Sequence, residues 1–137
     1  MSIAPYLFFE GRAEEAIDFY TRALGAEVTM RMRFSESPDP PPPGMLPPGS
    51  EDRIMHAELS IGGAALMVSD GGCKGTAAFG GFAVSLAATD AAQAQRWFVA
   101  LAEGGTVQMP LGPTFWSPAF GVVQDGFGVS WMIGVTP

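Results

Sequence analysis

The chain carries the same succession of patterns twice, and that internal repetition limits the folds open to it. Strand signals occur at "APYLFF" (residues 4–9), "AEVTMRMRF" (26–34), "IMHAELSI" (54–61) and "AALMVS" (64–69), each mixing aromatic, β-branched and methionine residues between turn formers. Between the first two, "RAEEAIDFYTRAL" places Ala13, Ala16, Ile17, Tyr20 and Leu24 at helical spacing, and Gly25 follows as a stop. The second half repeats this. "GFAVSLAA" (81–88) predicts a strand, and "TDAAQAQRWFVALAEGG" predicts a helix opened by a Thr/Asp cap. Its buried stripe is expected to be Ala91, Ala94, Phe98 and Leu101. Strands at 106–111, 120–125 and 128–135 complete the set. Each half reads strand, helix, strand, strand, strand, which gives an α+β fold of two tandem βαβββ modules.

The repeat is hidden by an insertion. "AEVTM", ending at Met30, parallels "GTVQM", ending at Met109, and "ALM", ending at Met67, parallels "SWM", ending at Met132. These offsets of 79 and 65 differ by 14 residues, about the length of "SESPDPPPPGMLPPGS" at 35–50. With seven prolines, that segment can be neither helix interior nor sheet interior. It is expected to be a semi-rigid loop or lid near a pocket. As a polyproline docking element it lacks the flanking Arg or Lys that would orient such a ligand. The expected organisation is one domain over 1–137, with module one at 1–70 and module two at 80–137.

Composition removes several functions. Fourteen acids against seven scattered bases give a formal charge of −7, the wrong sign for a phosphate backbone, so no nucleic-acid partner is expected. No apolar run approaches the ~20 residues that span a bilayer, and the N-terminus has no basic n-region, so no membrane partner is expected. Cys73, the single cysteine, has no internal disulfide partner and fits a reducing, cytoplasmic compartment. "GGCKGTAAFGG" follows a hairpin without Walker spacing, and no Gly-rich loop opens a helix after the first strand. No nucleotide-type cofactor is expected.

His56, the one histidine, stands two residues before Glu58. Side chains alternate along a strand, so Ala57, Leu59 and Ile61 form the set that packs on a helix. His56, Glu58 and Ser60 then point the other way. Residues two apart lie roughly 7 Å from each other, within reach of one small molecule. An unperturbed imidazole suits proton transfer near neutrality, with Glu58 orienting it or assisting. The structural alternative is a polar pair satisfying each other at a rim or interface.

"YLFFEGRAEEAIDFYTRALGAEV", "MHAELSIGGAALMVSD", "LAEGGTVQMPL" and "TFWSPAFGVVQDGFGVSWMI" resemble the PhnB-like branch of the vicinal oxygen chelate superfamily, also called 3-demethylubiquinone methyltransferase-like. That superfamily holds the glyoxalases, bleomycin resistance proteins and extradiol dioxygenases. The match covers nearly the whole chain except the insertion. It departs where Ser117, instead of glycine, follows Trp116. The resemblance implies two curled mixed sheets around a cleft, a homodimer, and four metal-ligand positions falling on Pro5, Met67, Gly81 and Met132. None of these four is a hard nitrogen or oxygen side-chain donor, so no metal is expected.

Phe9, Met67 and Met132 are then expected to face the cleft, with Phe115 and Trp116 on a loop near its mouth and Tyr6, Phe8, Trp131 and Ile133 on the helix-packed side. Such a lining favours an apolar or aromatic small molecule. Metal-independent binding of such a molecule is the first expectation. Isomerase-, epimerase- or lyase-type proton transfer by His56 and Glu58, with or without the assistance of a metal, is the second.

Overall fold

The computed structural model describes residues 2–136. Its elements run β1 (Tyr6–Phe8), α1 (Ala13–Leu24), β2 (Glu27–Arg33), β3 (Ile54–Ile61), β4 (Ala64–Ser69), β5 (Val84–Ala88), α2 (Ala91–Ala102), β6 (Thr106–Gly112), β7 (Phe120–Gln124) and β8 (Ser130–Val135). The chain divides into two compact units after Ala77.

The first unit is a four-stranded sheet ordered β1-β4-β3-β2. Strands β2, β3 and β4 form an antiparallel meander, and β1 adds in parallel beside β4. Helix α1 carries the chain from one edge of the sheet to the other and buries Ala13, Ala16, Ile17, Tyr20 and Leu24, the stripe predicted for it. Each large side chain in that stripe contributes about 1.5–3 kcal/mol of burial. Gly25 ends the helix at φ 67°, a left-handed conformation that glycine adopts without strain.

Arg12, at the head of α1, gives no side-chain cap. Asp70 supplies one from the end of β4. Its Oδ1 accepts from the Gly11 and Ala13 amides at 2.7 and 2.8 Å, and its Oδ2 accepts from the Ile54 amide at 2.8 Å. One buried carboxylate thus ties the helix start, β3 and β4 together.

The second unit repeats the order as β5-β8-β7-β6. Asp90 caps α2 by accepting from the Gln93 amide at 2.8 Å, while the Gln93 side chain accepts from the Thr89 amide. Ala94, Phe98 and Leu101 are buried as predicted, whereas Ala91 is exposed. It occupies the first helical turn, before the axis has brought that face down onto the sheet.

Residue-level pairing reproduces the repeat. In the first sheet Tyr6 lies level with Met67, Met67 with Glu58 and Glu58 with Met30. In the second the same row reads Ser85, Met132, Val122 and Met109. The insertion contains no strand. A single 3-10 turn at Phe34–Glu36 begins it, and the amides of Phe34 and Ser35 donate to the carbonyls of Arg53 and Glu51.

The alternation of β1 reverses the expectation for its side chains. Leu7 and Phe9 are buried, with Phe9 only 1% exposed and its ring 6.2 Å from that of Tyr20 on α1. Tyr6 and Phe8 stand on the opposite, open face. The pairing of Tyr6 with Met67 decides this, because residues level across a sheet share a face.

Candidate functional site

Helix α1 covers one face of the first sheet, which leaves the other face to carry any chemistry. Strand β3 alternates cleanly: Ala57, Leu59 and Ile61 are buried, while His56 and Glu58 lie on the open side. Strand β2 contributes Met30 level with Glu58 and Met32 level with His56. Strand β4 contributes Met67, and β1 contributes Tyr6 and Phe8.

Tyr6 joins the two polar residues into a chain. Its hydroxyl lies 2.7 Å from His56 Nδ1, and its ring stacks on Phe8 at 4.9 Å and 13°. On the other side of the imidazole, His56 Nε2 stands 3.6 Å from Glu58 Oε1. Burial, reinforced by the Glu58 charge and opposed by a hydrogen bond with Ser69, raises the Tyr6 phenol above its ordinary pKa. The phenol therefore holds its proton, and its hydroxyl is placed to share a hydrogen bond with Nδ1. A neutral imidazole that accepts at Nδ1 carries its hydrogen on Nε2, directed at the Glu58 side. The 3.6 Å gap is too long for a direct hydrogen bond, so that N–H and the carboxylate both retain capacity for a third group.

Sequence reasoning placed His56, Glu58 and Met67 on this face and missed Tyr6. Phe9, expected here, belongs to the core. Met132 lies on the equivalent row of the second sheet, half-buried between Ser85 and Val122. Phe115 and Trp116 occupy the β6–β7 connection of the second unit. Phe115 is 96% exposed, and Trp116 packs edge-on against Phe120 with centroids 5.4 Å apart. Trp116 also lines a cavity of about 260 Å3 with Ser85, Phe120 and Gly134. Ser117, the departure from the family pattern, is a clip: its buried hydroxyl lies 2.8 and 2.6 Å from the carbonyls of Ala119 and Val135, either of which can take its one hydrogen, and its oxygen accepts from the Val135 amide. It fixes the loop to the end of β8.

The insertion encloses a cavity of about 960 Å3 with Gly72 and Lys74, lined mainly by its own prolines, Met45 and Leu46. None of Tyr6, His56, Glu58 and Met67 lines that cavity.

The positions at which the resemblance implies metal ligands do not fit a metal. Pro5 shares the parity of Leu7 and Phe9, and Gly81 precedes β5, so the residues level with Met67 and Met132 are Tyr6 and Ser85. A protonated phenol beside a thioether in the first unit, and an aliphatic hydroxyl beside a thioether in the second, are each poor donors for a divalent cation. Among the described residues no three His, Cys, Asp or Glu side chains gather into a metal-binding group.

Comparison with known proteins agrees with this architecture. A family model described as the Glyoxalase/Bleomycin resistance protein/Dioxygenase superfamily matches residues 2–133. Protein YjdN of Escherichia coli is 39% identical over 98% of this chain and 95% of its own. Protein PA1353 from Pseudomonas aeruginosa superposes with a TM-score of 0.85 at 42% identity, covering 99% of this chain and 98% of that one. A putative 3-demethylubiquinone-9 3-methyltransferase, PhnB protein, from Bacillus cereus superposes at 0.77 with 27% identity, covering 99% and 100%. With its two four-stranded units in tandem and PhnB-like neighbours, the chain belongs to the Glyoxalase/Bleomycin resistance protein/Dioxygenase superfamily.

Proposed function

We propose that the protein binds a small apolar or aromatic molecule, without a metal, on the open face of its first sheet. The observation that carries this is the composition of that face. Tyr6, Phe8, Met30, Met32 and Met67 surround His56 and Glu58, and Tyr6, Phe8 and Met30 are each more than a third exposed. Aromatic and thioether side chains left in water are apolar area available to a ligand. Met132, Phe115 and Trp116 are proposed as ligand contacts within the second unit.

Naphthalene, followed by ligand-observed NMR, is the direct test. Saturable binding that weakens about tenfold or more in Phe8→Ser, the loss expected on removing one aromatic contact, supports the reading. Binding unaffected by that substitution, or absent, overturns it.

The hydrogen-bonded approach of Tyr6 to His56, with Glu58 beyond it, favours a second reading: proton transfer in an isomerase-, epimerase- or lyase-type reaction. Loss of turnover with affinity kept in His56→Gln would establish it.

The protein is further proposed to act in the cytoplasm as a homodimer. The single thiol of Cys73 fits a reducing compartment. Edge strands β2 and β6 expose Val28, Met30, Val107 and Met109, area that a second copy can cover. Light scattering on the eluting peak reads the mass directly. No helix among the described residues is long and apolar enough to cross a membrane.

A further inference from the structure

An apolar face holds many flat molecules; polar groups set into it choose among them. By sheet register, His56 and Glu58 of β3, Tyr6 of β1 and Glu27 of β2, the last level with Ser60, are the titratable side chains of this face, with Met30 and Met32 also coming from β2 and Met67 and Ser69 from β4. No Lys or Arg pairs with Glu58 among the described residues, and its side chain is 45% exposed. His56 is 24% exposed beside it.

The Tyr6 hydroxyl lies 2.7 Å from Nδ1, and where it donates there the imidazole hydrogen sits on Nε2. What remains is a donor, Nε2–H, and an acceptor, Glu58 Oε1, 3.6 Å apart. That separation lets two converging hydrogen bonds reach neighbouring atoms of one ligand edge. The stacked Tyr6–Phe8 pair adjoins them and supplies a flat apolar surface.

We propose that Tyr6, His56 and Glu58 form an edge-reading site for a planar ligand carrying a hydrogen-bond acceptor and an N–H or O–H donor on adjacent atoms, as a lactam or a cyclic imide does. His56 Nε2–H serves the ligand's acceptor and the Glu58 carboxylate serves its donor. Tyr6 is a positioning residue, acting through the imidazole. A ligand lacking the donor leaves a carboxylate desolvated without compensation, and this is the source of discrimination. The assignment rests on the open face being the ligand site.

Three probes of nearly one shape test it: 2-quinolone, N-methyl-2-quinolone and naphthalene. 2-Quinolone should bind about tenfold tighter than its N-methyl analogue, the ratio expected for one hydrogen bond to a charged group. Because the chain has a single histidine, its ring nitrogen signals are assigned without ambiguity. They should report the Nε2–H tautomer, and Nε2 should shift on adding 2-quinolone.

Tyr6→Phe keeps the ring and removes only the hydroxyl. It should give a mixture of tautomers and erase most of the preference for 2-quinolone over its N-methyl analogue. Glu58→Gln should reduce the preference several-fold. Equal binding of all three probes overturns the edge-reading site and leaves apolar binding on this face standing. Binding of none overturns both. An Nδ1–H tautomer in the wild type overturns the role of Tyr6.

Discussion

Tyr6 is held in its protonated form mainly by burial, with the Glu58 charge adding to the effect and the Ser69 hydrogen bond opposing it. The folded state therefore keeps the phenolic proton above the ordinary value of 10.0 at which the unfolded chain releases it. Stability from this group is complete below that value and is lost as pH rises through the raised one. In urea titrations, the stability difference between wild type and Tyr6→Phe should be level in the mildly alkaline range below 10.0 and fall above it. A difference flat through the alkaline range would show that the phenol titrates as it does in the unfolded chain. The residue itself is hard to find from sequence. In "APYLFF" both alternating sets, Tyr6/Phe8 and Leu7/Phe9, are apolar, and hydrophobicity cannot tell which faces the helix. Only the long-range pairing of Tyr6 with Met67 settles it. "IMHAELSI" alternates polar with apolar, so the placement of His56 and Glu58 is legible directly. Ser117 carries no usable signal, because its value lies in accepting and donating to Ala119 and Val135, the latter 18 residues away.

At the scale of elements, helices and strands announce themselves through periodicity, and the insertion through its prolines. The predicted and observed bounds of β3 and β4 coincide, and α1 differs by one residue. What the prolines could not tell is what the segment covers. Its cavity is lined in part by Gly72 and Lys74 and by neither Tyr6 nor His56. Its two ends are already held by amides of Phe34 and Ser35 on Arg53 and Glu51, and the equivalent connection in the second unit does without it. Replacing residues 38–48 by a short Gly-Ser linker should therefore leave a cooperative melt, its midpoint moved by less than about 5 °C, since loop length enters closure entropy only logarithmically. Naphthalene affinity should not change. Loss of the cooperative transition would show that the insertion is part of the first unit's core. Loss of affinity alone would restore it as a lid.

Over the whole molecule, the repeat has diverged in one direction. The row Tyr6, Met67, Glu58, Met30 in the first unit answers to Ser85, Met132, Val122, Met109 in the second. Polar chemistry sits on one copy, and the other copy's counterpart to Glu58 is a valine. Family resemblance points to four metal-ligand positions at Pro5, Met67, Gly81 and Met132, two of which lie off the row. The register puts Tyr6 and Ser85 in place of Pro5 and Gly81, and the donor set stays unsuited to a metal. Stable binding of a zinc-like cation needs about four nitrogen, oxygen or thiolate donors, and these positions bring a methionine with a neutral phenol in the first unit and a methionine with a hydroxyl in the second. Purified, untagged protein should accordingly contain less than stoichiometric divalent metal by elemental analysis. Added zinc, manganese, nickel or magnesium should not raise its melting temperature, because only an ion that prefers the folded state can do so. One metal per chain, lost together with the thermal shift in His56→Gln and Glu58→Gln, would make those two residues ligands. The open face would then be a site for metal-assisted chemistry, and the edge-reading assignment would give way to it.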